Sequence, residues 1–257
     1  MKRDAIMDRA LEPVWLDIAL QVALEARPGA ARAILASRLR DRLDLSGRWD
    51  KRLTVLSHIW LDPPAEAKPC VDWALQRAPR FGDPRLLHVG AMLATYSFFG
   101  DVCAALGREL SLHAEARLTS IRRRLRARWG DRPEVDVAAR AVTRTLRNLG
   151  VVAGRRGAPA VAPGERLAVP PALAPWLVHA LLLARGTDEV DAREVRRSPE
   201  IFMVELPRTW SMRYPHLDRF NEGGDRMVYR LRRQPGPSGF RQEPLFVTRR
   251  TGRKGVA

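Results

Sequence analysis

Arg140, Arg144 and Arg147 fall at i, i+4 and i+7, so a helix carrying them presents three guanidiniums along one stripe. A guanidinium keeps its charge and forks onto phosphate oxygens or a guanine edge. Such a stripe suits the phosphates flanking a major groove, or the bases within it. Asn148 adds an amide that can reach a phosphate. Arg155 and Arg156 sit between Gly154 and Gly157, where the tip of a basic hairpin would meet the backbone. Upstream, Arg122, Arg123, Arg124, Arg126 and Arg128 crowd a second helical stretch. They cover too much of its circumference to face one duplex together. Arg122, Arg123 and Arg126 are taken as candidate contacts, and some of the five are expected to be solvated or paired with acids of the N-terminal helices.

The balance of charge supports an acidic partner. The 257 residues hold 45 Lys+Arg against 29 Asp+Glu, a formal +16 with a pI near 11.3. The cations are 41 Arg and 4 Lys, a preference that a GC-rich genome produces by itself, but base composition does not force the excess over acids. Residues 117–156 contain twelve arginines and three acids (Asp131, Glu134, Asp136), over half of the chain's excess. Concentration of this kind points to nucleic acid. A smaller basic cluster is Arg249, Arg250, Arg253 and Lys254. With 46% hydrophobic residues the chain can bury a core, which excludes a disordered basic tail or a collagen-like chain.

Other chemistries find little to stand on. Neither GxxxxGK[ST], GxGxxG nor HExxH occurs, and His58, His88, His113, His179 and His216 lack metal-ligand spacing. Asp62, Glu66 and Lys68 superficially resemble a metal-dependent nuclease set, but they lie in a proline-rich connector. Cys70 and Cys103 read as reduced, buried thiols. The tryptophans are spread along helices, as core residues are. The chain is therefore read as non-enzymatic, without cofactor or metal. The Met1-Lys2-Arg3-Asp4 start shows no apolar signal region, and the apolar run Leu173–Ala184 is too short for a span of about 20 residues. A cytoplasmic protein without membrane contact is expected.

Apolar residues spaced three and four apart predict helices over Leu11–Glu25, Ala30–Leu43 and Trp49–Leu61, with a short piece near Cys70–Gln76. Two packed helices are expected within Pro84–Leu110. A basic helix follows over Leu118–Trp129, then a turn at Asp131-Arg132-Pro133 and a helix over Glu134–Leu149. Short strands are expected at Val151–Ala153, Ala160–Val161 and Leu167–Val169, then a buried helix over Leu173–Ala184 and a polar segment over Asp188–Arg197. Ser198-Pro199-Glu200 carries the signals of another helix start, and Met227–Arg232 reads as a strand. The fold class is mainly α. A helical N-terminal region (1–103) precedes a central winged helix-turn-helix (104–170), an α-rich, winged-helix-like C-terminal lobe with a short β-hairpin or strand (171–233), and a basic flexible tail (234–257).

One resemblance emerges from the segment Leu87-His88, Tyr96-Ser97-Phe98-Phe99-Gly100-Asp101-Val102 and Gly107-Arg108. It continues through Trp129-Gly130-Asp131-Arg132, Ala139-Arg140 and Leu146-Arg147-Asn148-Leu149-Gly150-Val151-Val152. This layout is similar to that of BrxA-type accessory proteins of BREX phage-exclusion islands, and Ser198–Met203 and Gly223-Gly224 fit it as well. The likeness covers residues 30–232 and is one of pattern. It implies a non-enzymatic component of an anti-phage defence system, binding double-stranded DNA beside larger ATPase, methyltransferase or nuclease subunits. The alternatives are a structural adaptor that docks on a larger defence protein without touching DNA, and a transcriptional regulator.

Overall fold

A helix that is apolar on every side has to lie inside a protein, and two among the described residues are of this kind. In the computed structural model, which describes residues 6–27, 29–40, 49–210, 213–224 and 226–232, they form the centre. The ten helices among the described residues are α1 (Pro13–Glu25), α2 (Ala31–Arg40), α3 (Trp49–Trp60), α4 (Lys68–Leu75), α5 (Arg85–Thr95), α6 (Ser97–Leu112), α7 (Leu118–Trp129), α8 (Pro133–Asn148), α9 (Ala174–Arg185) and α10 (Ala192–Val195). Helix α5 is buried from Leu86 to Thr95 and α9 from Ala174 to Ala184. Their contact is close because Gly90 faces Trp176: a Cβ there would lie 2.1 Å from the indole. The fully buried Trp176 donates its Nε1–H to the Cys70 carbonyl at 2.9 Å, satisfying the one polar atom its burial would strand. Helix α6 leaves α5 at an angle of 114° and also packs on α9. No single helix among the described residues is long and apolar enough to cross a membrane.

Helices α1–α4 flank this centre, with α1 against α2 and α3, and α3 and α4 against α5. A buried histidine helps to join them. His88 Nε2 lies 2.9 Å from Asp17 Oδ1, and burial pushes the imidazole pKa down, so the neutral ring holds Asp17 by a hydrogen bond.

The strands are β1 (Ala116–Arg117), β2 (Val152–Ala153), β3 (Ala160–Pro163), β4 (Leu167–Ala168), β5 (Glu189–Asp191), β6 (Val204–Glu205), β7 (Leu217–Asn221) and β8 (Met227–Leu231). They form three small sheets. One is antiparallel in the order β1-β3-β2, with Ala116 opposite Val161 and Val152 opposite Pro163. The parallel pair β4-β6 sets Leu167 opposite Val204. The third is antiparallel in the order β5-β8-β7, with Val190 opposite Tyr229 and Arg219 opposite the same Tyr229.

The fold is mainly α, as expected, and departs from the sequence reading in its details. The expected boundary between residues 103 and 104 falls inside α6, whose buried residues run from Phe98 to Glu109, and a single hydrophobic cluster extends from Met7 to Tyr229. The C-terminal part is not α-rich beyond α9: the polar segment Asp188–Arg197 holds β5 and the four-residue α10, and β5 joins the β7–β8 hairpin. The helix expected from Ser198 is one 3-10 turn, Pro199–Ile201, and Ser198 Oγ bonds back to the Glu194 carbonyl and caps nothing. Strand β1 has two residues, too few for any periodicity to reveal. The expected tail, residues 234–257, lies outside the described residues.

Candidate nucleic-acid interface

The interface is built on α6, β1, α7, α8, β2 and β3. Helix α7 ends at Gly130, whose φ of 90° a side chain would resist. Pro133 then opens α8 with its φ already suited to the first turn, and Glu134 and Asp136 place negative charge at the positive end of the helix dipole. The apolar stripe of α8 buries Val135, Ala138, Val142 and Leu146, which leaves Arg140 and Arg144 exposed and Arg147 half-buried on the other side. From β2 the chain turns through Gly154–Pro159 into β3, and the Pro159 carbonyl accepts the Leu118 amide at 2.9 Å. This bond ties the loop between β2 and β3 to the start of α7.

A groove of about 430 Å³ lies between α7, α8 and that loop. Its rim carries Arg122, Arg140, Arg144, Arg147 and Arg156, and no acidic residue lines it. The floor includes Leu118, Ile121, Ala139 and Pro159. These floor residues escaped the sequence reading because apolar residues on α7 and α8 read as core. The signal that could have found them is the i, i+3 spacing of Leu118 and Ile121 opposite the arginine stripe. Among the described residues Arg140 and Arg156 have no hydrogen bond or ion pair, and the buried Nε of Arg147 has no partner. Arg144 lies 3.7 Å from Glu12, a distant and solvent-exposed pairing that weakly engages its charge. Arg122 directs its Nε to the Leu118 carbonyl at 3.3 Å, a neutral acceptor that leaves the charge in place.

The other sequence candidates separate from this set. Asn148 turns away: its amide donates to the Leu11 carbonyl at 2.9 Å, while the Leu11 amide donates to Thr145 Oγ1 at 2.9 Å. Together they clamp the segment before α1 onto α8, and Asn148 lies outside the groove's lining. Arg126 is likewise committed, to Asp136 across the turn and to Asp131 at 3.3 Å. The guanidinium of Arg126, with Arg122 and Arg140 nearby, holds the Asp136 carboxyl below its usual range. Arg155 is exposed but does not line the groove, and Arg123 is exposed on α7 beside Arg122 and Arg126. Arg124 pairs with Glu109 at 3.1 Å and Arg128 with Asp101 at 2.9 Å, where the Trp129 indole also donates at 2.7 Å. The acid partners of α7 thus come from α6, from the turn after α7 and from α8. Lys68 opens α4, where it is paired with Asp72 at 3.0 Å. Among the described residues no three His, Cys, Asp or Glu side chains gather as a metal site.

Comparison with protein-family models, with curated proteins and with solved structures found no match to this chain.

Proposed function

We propose that residues 97–163 form a winged helix-turn-helix that binds duplex DNA through its phosphates. The order helix, strand, helix, turn, helix, hairpin, with the first strand beside the last, supports this reading. The observation that carries it is the groove rimmed by five arginines with no acid in its lining. Along α8, Arg140 and Arg147 are separated by about 10 Å at 1.5 Å per residue. That matches the scale of a major groove about 12 Å wide, and Arg156 extends the contact to a neighbouring phosphate. Arg122 and Arg123 add positive charge along α7. The pattern shared with BrxA-type proteins supports the wider proposal: a non-enzymatic DNA-binding component of a bacterial anti-phage system, working in the cytoplasm beside larger defence-system proteins.

The apolar floor supports a second reading, in which an acidic amphipathic segment of such a protein occupies the groove without DNA. Fluorescence anisotropy with a labelled duplex separates the two. Five phosphate contacts give a log–log salt slope of about −4.5 between about 50 and 300 mM salt. In the Arg140/Arg144/Arg147→Ala variant that slope becomes shallower by about 2.7. Absence of duplex binding at the lowest salt by folded protein would sink the DNA reading and leave the docking one.

A further inference from the structure

A second arginine-lined cleft, of about 490 Å³, opens where the C-terminal part of the chain meets α6. The meeting is unusually close. A Cβ on Gly107 would lie 2.2 Å from the Pro199 carbonyl oxygen, so the backbone of α6 and the 3-10 turn touch directly. Beside this contact Arg108 comes from α6, Arg166 from the segment after β3, and Arg196 and Arg197 from the end of α10. Four arginines from three separate stretches therefore line one concavity.

Two of them are held by neutral groups. Arg166 donates to the Val204 carbonyl at 2.8 Å. Arg196 donates to the carbonyls of Pro207 and Arg208 at 2.7 and 2.6 Å, and its guanidinium lies 5.0 Å from the centre of the Trp210 ring. A carbonyl fixes the direction of a guanidinium without cancelling its charge. Arg108 and Arg197 make no side-chain hydrogen bond or ion pair with the described residues. The acids nearby do not neutralise the set. Glu205 is the single carboxylate of the lining and is exposed. The buried Glu200 is engaged by Arg185 through two bonds of 3.0 and 2.9 Å. Ile201 and Phe202 supply an apolar wall.

We propose that this cleft is a phosphate-binding site, separate from the α8 groove. Like charges gathered around one concavity, two of them fixed and two unpaired, suit a multiply charged anion, and arginine forks match phosphate oxygens. The cleft is of the size that takes small ligands, and the apolar wall favours a phosphate ester over inorganic phosphate. A free mononucleotide and a backbone phosphate of bound DNA offer the same chemistry.

The test uses the full chain in calorimetric titrations with pyrophosphate and with AMP, and in anisotropy with a short duplex. The Arg108→Ala/Arg197→Ala variant removes two exposed, unpaired guanidiniums, and circular dichroism verifies its fold. Binding of pyrophosphate or AMP that weakens at least about tenfold in this variant supports a free ligand. That loss should be partly restored by Arg108→Lys/Arg197→Lys and absent in the α8 triple variant. If neither small molecule binds, a duplex salt slope shallower by about 1.8 in the double variant supports a backbone phosphate. A folded double variant that matches wild type with all three probes overturns the proposal. The α8 triple variant reports on the DNA groove independently.

Discussion

The region from α6 to β3 and the region from α9 to β8 follow the same course. Each runs from a helix to a strand, through helical segments (followed in the second by β6, which pairs with β4), and into a hairpin whose last strand lies between the other two, giving the orders β1-β3-β2 and β5-β8-β7. They differ in where the chain is regular. The first has helices of 12 and 16 residues between its strands, and strands of two to four residues. The second reduces those helices to a four-residue α10 and one 3-10 turn, and lengthens its hairpin strands to five residues each. They also use arginine differently. In the second region Arg230 pairs with Glu189 at 2.7 Å and Glu222 at 3.2 Å, Arg232 pairs with Asp218, and Arg226 lies 3.3 Å from Glu222. In the first, the acids sit on α6, in the turn after α7 and at the start of α8, so they pair with Arg124, Arg126 and Arg128 and leave Arg122, Arg123 and the far side of α8 cationic. A count of arginines therefore does not locate a binding surface. The position of the acids does.

Three tests bear on this contrast. The largest effect belongs to α8: the Arg140/Arg144/Arg147→Ala variant should lose about two to three orders of magnitude in duplex affinity near 0.1 M salt. The matching Arg226/Arg230/Arg232→Ala variant of the hairpin should bind duplex within about twofold of wild type, because exposed ion pairs of this kind contribute roughly 0–1 kcal/mol and face acids already. Equal losses in the two variants, read by anisotropy, would erase the distinction.

Acid should act on the second region first. Burial, with His216 nearby, pushes His179 down to about 3, and its Nδ1 lies 2.7 Å from the Tyr214 hydroxyl. The unfolded chain binds the proton more readily, near the model-peptide value of 6.5. The stability from keeping His179 neutral is therefore complete above about pH 6.5 and falls as pH drops from there toward 3. At pH 5 the loss is about 2 kcal/mol. The α6–β3 region contains one histidine, the exposed His113, so it lacks this sensitivity. Melting curves between pH 7 and 5 measure the slope, which His179→Gln should reduce. An unchanged slope would place the acid-sensitive group elsewhere.

The smallest effect is the clamp. Asn148→Ala should cost about 1–2 kcal/mol by stranding the Leu11 carbonyl, with no change in the salt slope of duplex binding. A slope reduced by about one would return Asn148 to the phosphates.

What was legible before the structure follows from range. The α8 stripe could be read because helix period and sequence spacing are the same quantity, and the turn after α7 because Gly130 and Pro133 act on their own backbone. The bond of Asn148 was not legible because its partner, Leu11, is 137 residues away. The ion pair of Arg126 was not legible because Asp136 reaches it only after the chain turns back. The Ser198-Pro199-Glu200 signals were real local signals, yet α6 meets the turn at Gly107 and Met203 follows into β6, leaving no room for a helix.

Residue type and short spacing were enough for the long helices, the apolar centre, the cationic excess and its concentration between residues 117 and 156. Which arginines remain unpaired depends on the folded chain, because an ion pair needs an acid within about 4 Å and those acids come from other elements. The fold alone also brought Arg108, Arg166, Arg196 and Arg197 to one cleft.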